Sequence, residues 1–186
     1  MLLVWLLAFH VDAVRSADDR LYFDAVRFQF RWAYLNENAY KLVRLASPSQ
    51  FALLVAGVVA IALLRRRPAL AVTALFVTLG ASLATQAAKV AFGSSRPQDW
   101  YPDTDYPSGH MTAAAALALA LVLVVPPRLR IPAGLLGLAW TAGVGLSLVA
   151  TGTHRPSDVI GGVLMAGAFA ALAFRPSAQG APRGPR

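Results

Sequence analysis

Three short stretches carry nearly all the residues able to do acid, base or nucleophilic chemistry. Lys89 is followed seven positions later by Arg96-Pro97, Pro107-Ser108-Gly109-His110 comes soon after, and His154-Arg155-Pro156-Ser157-Asp158 comes last. Lys89 and Arg96 are permanent cations whose natural partner is an anion. Arg96 can hold two phosphate oxygens at once, while Lys89 acts as a point charge. Ser108, Gly109 and His110 fall where an apolar helix should begin, so their backbone N–H groups and the helix dipole would also favour an anion. Gly109 has no side chain to keep a phosphate from the backbone. His154 and Asp158 are four positions apart at a second helix start and can share one face. A carboxylate there would hold one imidazole nitrogen protonated and leave the other as a nucleophile, with His110 able to protonate a leaving oxygen. Taken singly, each residue has an ordinary structural explanation: a snorkelling lysine, a headgroup arginine, a capping serine, a first-turn proline at Pro156. Taken together they weaken it, because two of the chain's three histidines would have to fall beside phosphate-type donors by chance. The third, His10, has no assigned role.

These groups must be carried by a membrane protein. Of 186 residues 57% are hydrophobic and 14% charged, against about a quarter charged in soluble domains. The apolar residues come in long blocks, so too little polar surface remains to cover a soluble fold. The chain has no cysteine, which excludes disulfides, thiolate metal sites and cysteine nucleophiles. Its net charge of +8 sits mostly on arginines at the ends of apolar blocks, where it fixes topology or meets anionic headgroups. No nucleic-acid partner is expected.

The predicted fold class is all-α, a helical bundle of about six transmembrane spans in three regions: residues 1–46, 47–174 and 175–186. Met1 to Val11 is apolar but shorter than the roughly 20 residues of a full span, and lacks the marks of a cleaved signal peptide. Asp12 to Ala46 mixes charge with aromatics. Its alternation of Val26, Phe28, Phe30, Trp32 and Tyr34 with Arg27, Gln29, Arg31 and Ala33 has a strand period. A lone strand cannot be satisfied in a bilayer, so short interfacial helices with an aromatic belt are expected. Five spans follow: Ser47 to Leu64, with Ser47 cap-like and Pro48 first, then Ala69 to Ala91, Gly109 to Val125, Ile131 to Ala150, and Ser157 to Phe174. The Pro-, Gly- and Arg-rich tail from Arg175 to Arg186 should be disordered.

By parity, the loops after Ala91 and Ala150 emerge on one face, which gathers all the candidate residues. The opposite face carries Arg65, Arg66, Arg67, Arg128 and Arg130 in tight loops, with Arg175, Arg183 and Arg186 in the tail. Those short basic loops place that face in the cytoplasm and the candidate site outside. Arg15, Arg20, Arg27, Arg31, Lys41 and Arg44 lie on the site's side, against the trend. Asp99, Asp103 and Asp105 crowd the loop between the first two motifs and read as a solvated acidic loop rather than a cation site.

The motifs resemble the type-2 phosphatidic acid phosphatase superfamily of membrane lipid phosphatases, related to the vanadium haloperoxidases. The first family motif is Lys, six residues, Arg-Pro, matched by Lys89 and Arg96-Pro97; the second is Pro-Ser-Gly-His, present as Pro107 to His110. The third is Ser-Arg, five residues, His, three residues, Asp, which Ser147, His154 and Asp158 match, with Leu148 in place of the arginine. The resemblance implies a phosphohistidine mechanism without metal or other cofactor. His154 would attack phosphorus, Asp158 orient it, and His110 protonate the leaving group and activate water. Lys89, Arg96, Ser108 and Gly109 would bind the phosphate. Arg155, or an arginine of the interfacial segment, would replace the cation missing at Leu148. The expected partner is a lipid phosphate in a bacterial plasma membrane, a polyprenyl phosphate or diphosphate first, then phosphatidic acid or phosphatidylglycerol phosphate. Two other readings compete. A catalytically silent lipid-binding or scaffold protein has only Leu148 in its favour, and a transporter would need more mid-span polar residues than Gln86 and scattered threonines.

Overall fold

The computed structural model describes residues 1–29, 33–92 and 106–174, with helix as their only regular structure. Proline at the first position opens α4 (Pro48–Leu64), α5 (Pro68–Leu75) and α9 (Pro156–Ala173). Its fixed φ suits a helix start and its missing N–H would be unpaired there anyway. Ser47 is the N-cap of α4 by position, but its hydroxyl makes no cap bond. A π-helical turn at Phe76–Gly80 joins α5 to α6 (Ala81–Phe92), so the two make one 25-residue rod. α7 (Gly109–Val124) and α8 (Arg130–Ala150) are linked by a short 3₁₀ turn at Pro127–Leu129.

Three rods, Pro68–Phe92, Pro127–Ala150 and Pro156–Ala173, are long and apolar enough to cross a membrane. A fourth arises if α4 is counted with the end of α3 (Ala33–Arg44), from which it bends by 51°. α7 has 16 residues, about 24 Å at 1.5 Å per residue, and is shorter than a bilayer core. It lies at the centre, packed chiefly on α9 and α8, so other helices rather than lipid meet its flanks. α1 (Leu2–His10) is too short to cross alone. The expected six spans are therefore not reached among the described residues.

The segment expected at the interface forms a long helix, α2 (Asp12–Gln29), followed by α3. The strand-like alternation is overridden from Val26 to Gln29; Phe30, Arg31 and Trp32 lie outside the described residues. In an apolar medium only a helix satisfies each backbone group within its own segment. α3 packs on α8, and α2 crosses the ends of α8 and α9.

The core is built of small residues. Ala113 to Ala116 and Ala120 of α7 are buried, as are Gly161, Gly162 and Ala166 of α9, and such side chains let membrane helices approach closely. At Gly162 the approach is tightest on backbone: a Cβ there would stand 2.8 Å from Ser108 O and 3.0 Å from Thr112 N. Gly167, on the same helix, faces open space within 4 Å. Gly162→Ala is accordingly expected to destabilise by about 1–3 kcal/mol through overpacking, and Gly167→Ala to stay within about 0.5 kcal/mol of wild type. Thermal unfolding of both variants in one detergent checks this, and equal melting temperatures would contradict it.

Candidate active site

The N-terminus of α9 shows how local sequence brings His154 and Asp158 together. Pro156 brings no N–H. The N–H of Asp158 reaches Arg155 O at 3.1 Å, and the carboxylate of Asp158 turns back to accept the Arg155 N–H at 3.0 Å. The same oxygen, Oδ2, lies 3.4 Å from His154 Nδ1. An ionised carboxylate can only accept, so Nδ1 carries the proton, and in the neutral ring this leaves Nε2 with its lone pair. Asp158 is 2% exposed and His154 6%, so little water competes for this contact. The main chain of His154 is fixed too, its N–H bonded to Leu148 O at 3.1 Å.

Opposite stands the start of α7. Ser108 is its N-cap and is fully buried, with its hydroxyl accepting the Met111 N–H at 3.4 Å. Its own N–H binds Asp158 O at 3.0 Å, which ties the two helix starts directly together. Next to it Tyr106 is buried and donates its hydroxyl to Met1 O at 2.6 Å. Burial, with Asp158 nearby, pushes that phenol up to about 12, so it remains a donor at neutral pH.

Between the helix starts opens a cavity of about 430 Å³, lined by His154, by Gly109, His110 and Ala113 of α7, by Ser82, Gln86 and Lys89 of α6, and by Ala46, Pro48 and Phe51 from the α4 side. Four of the expected residues, Lys89, Gly109, His110 and His154, thus line one cavity, with Asp158 beside His154. A cation, a helix N-terminus and two imidazoles around one space form a site for an anion that can be attacked and protonated. The first turn of α7 is the better anion seat, because two carboxylates, Asp158 and Asp18 of α2, already occupy the first turn of α9.

Three expected residues stand otherwise. Arg96 lies outside the described residues, as do Asp99, Asp103 and Asp105. Ser108 is not on the cavity wall; it joins α7 to α9. Arg155 is 2% exposed and points to α2, where it pairs with Asp19 and lies 4.7 Å over the ring of Tyr22. Arg155 does not line the cavity, so this placement lends no support to the expectation that it binds phosphate in place of the missing arginine. Leu148 itself is 1% exposed within the apolar core, so no cation stands at that position. Gln86 was overlooked as a wall residue, although its three-residue spacing from Lys89 puts both on one helix face.

A family model described as the PAP2 superfamily matches residues 70–179. No curated protein matches the chain. Among solved structures, the crystal structure of the first transmembrane PAP2-type phosphatidylglycerolphosphate phosphatase, from Bacillus subtilis, is similar, with a TM-score of 0.76 at 26% identity. The similarity covers 92% of this chain and 89% of that one.

Lys89 and Arg155 should separate in experiment. Lys89→Ala is expected to weaken orthophosphate binding about tenfold, or ~1.4 kcal/mol, without moving the melting temperature. Arg155→Ala is expected to leave that affinity within about twofold and to lower the melting temperature, since it removes a partly buried ion pair and the guanidinium packed on Tyr22. Calorimetric titration beside thermal unfolding reads both, and weaker phosphate binding by Arg155→Ala with unchanged stability would reverse the assignment.

Proposed function

Because the chain belongs to the PAP2 superfamily, we propose that it hydrolyses a lipid phosphate or diphosphate through a phosphohistidine formed on His154. It is a multi-pass membrane protein and a phosphatase. The observation that carries the finer reading is the single cavity lined by Lys89, Gly109, His110 and His154, with Asp158 on His154 Nδ1.

In this reading Nε2 of His154 attacks phosphorus and the bond from phosphorus to the lipid oxygen breaks. His110 gives its proton to that oxygen. His110 then takes a proton from water, the resulting hydroxide attacks phosphorus, and the P–N bond breaks to release orthophosphate and restore His154. Lys89 and the Gly109 N–H hold the charge that builds on the phosphoryl oxygens, with Arg96 as a further cation by family resemblance. The nucleophile is an imidazole and the charge is met by protein donors, so the route requires no metal ion.

An apolar groove of about 690 Å³ runs along α4 and α7 beyond the polar cavity, walled by Leu53, Leu54, Val58, Leu117, Leu121 and Trp140 among others. Both helices start at the cavity and continue into the groove, which supports a substrate with a phosphate head and a hydrocarbon tail. The activity of the Bacillus neighbour favours phosphatidylglycerol phosphate, and polyprenyl phosphates have the same form. Helices α4, α7 and α9 begin on the site's face, while Arg65 to Arg67, Arg128 and Arg130 lie on the other. That asymmetry supports a site on the outer face of a bacterial plasma membrane. The silent reading rested on Leu148, and the intact His154–Asp158 contact tells against it.

Purified protein in detergent, with a chelator present, is expected to release phosphate from at least one of phosphatidylglycerol phosphate, polyprenyl phosphate, polyprenyl diphosphate and phosphatidic acid. His154→Ala should lower that rate by at least about a thousandfold. Release that needs an added divalent ion, or that survives the substitution, would contradict the proposal.

A further inference from the structure

We propose that α2 is a clasp that positions the reactive pair, with Asp18 as its principal positioning residue. Three residues on one face of α2 each take hold of the turn that carries His154. Asp18 Oδ1 accepts the Ser157 N–H at 2.9 Å and Asp18 Oδ2 accepts the Ser157 hydroxyl at 2.7 Å. Asp19 pairs with Arg155, and the Tyr22 hydroxyl donates to Gly152 O at 2.7 Å while its ring underlies the Arg155 guanidinium. Asp18 and Tyr22 are one helical turn apart, with Asp19 between them. Their targets, positions 152, 155 and 157, bracket His154 and end beside Asp158.

The turn depends on this hold. Ser157 has the first N–H of α9, because Pro156 has none, and Asp18 supplies its acceptor from another helix. The carboxylate also meets the positive end of α9, and it is 6% exposed, so water is a poor substitute. Gly152 stands at φ +68, and a Cβ there would lie 2.8 Å from Val26 of α2, so the turn is shaped to fit the helix. His154 and Asp158 are therefore placed by contacts on both sides. The contacts within the turn come from α8 and α9, and the outer ones come from α2. The family model starts at residue 70 and does not include α2, whereas the structural likeness to the Bacillus protein covers 92% of the chain.

The inference rests on the phosphatase reading for its kinetic consequence, since a displacement near 1 Å at a reacting group costs about a hundredfold in rate. Asp18→Ala should lower kcat about 10- to 100-fold while KM stays within threefold. Asp18→Asn should recover to within about fivefold of wild type, because its amide oxygen still accepts from the Ser157 N–H and its NH₂ can donate to the Ser157 hydroxyl. Tyr22→Phe, which removes one hydroxyl and no packing, should cost kcat about 3- to 10-fold if Asp18→Ala proves too unstable to assay. Hydrogen exchange of the amides from 150 to 160 should quicken at least about tenfold in Asp18→Ala, with the rest of α7 and α9 unchanged. A kcat within threefold of wild type in both Asp18→Ala and Tyr22→Phe, or an Asp18→Asn as impaired as Asp18→Ala, would overturn the proposal. A wild-type protein without turnover would sink the phosphatase reading instead. The clasp would then stand or fall on exchange, unaltered protection in Asp18→Ala refuting it.

Discussion

One buried carboxylate holds the arrangement together. Asp158 closes the first turn of α9 by accepting the Arg155 N–H, and the same oxygen faces His154 Nδ1. Its main-chain oxygen takes the Ser108 N–H, so the residue that orients one histidine also fixes the helix that bears the other. A charge buried to this degree is tolerable only with such donors around it. Once they are assembled, the tautomer of His154, the start of α9 and the spacing to α7 are settled together. Glycine at 162 then permits the two helices to lie close enough for His110 and His154 to share a cavity.

The division of labour between the two helix starts follows from charge. Both present N–H groups and a positive dipole end, and both are plausible seats for phosphate on that ground alone. α9 has its first turn occupied by Asp158 from within and Asp18 from α2, whereas α7 begins with a serine hydroxyl and a glycine. An incoming anion is repelled at the first and accepted at the second. His154, the proposed nucleophile, stands beside the occupied helix start and Lys89 lines the same cavity as Gly109, an arrangement that would suit drawing phosphorus toward His154.

Much of this was legible in the sequence, for a physical reason. Polar residues at helix starts stand out against apolar spans, so Lys89, Gly109, His110, His154 and Asp158 could be grouped on one face by parity and spacing alone. The helix boundaries followed from proline and charge, to within a residue or two at Pro48, Gly109 and Pro156. The direction of Arg155 was not legible, because an arginine beside a histidine looks the same whether it turns to a cavity or away from it. Its direction depends on Asp19 and Tyr22, more than 130 positions distant in the chain. α2 was hidden for a related reason: the aromatic alternation near its end has a strand period, and its buried face is set by the turn it grips. The count of six spans is not reached among the described residues, in part because α7 is short and enclosure by neighbouring helices replaces the length a lipid-facing helix would need.

The central claim is that His154 itself carries the phosphoryl group, and trapping the intermediate tests it most directly. Protein mixed with lipid bearing a radiolabelled phosphate and quenched within its first turnover should hold label that is lost in acid and kept in base, as expected of phosphohistidine. Peptide mapping should place that label on His154, with none in His154→Ala. Turnover with no label at early times, or label mapped to another residue, would contradict the account.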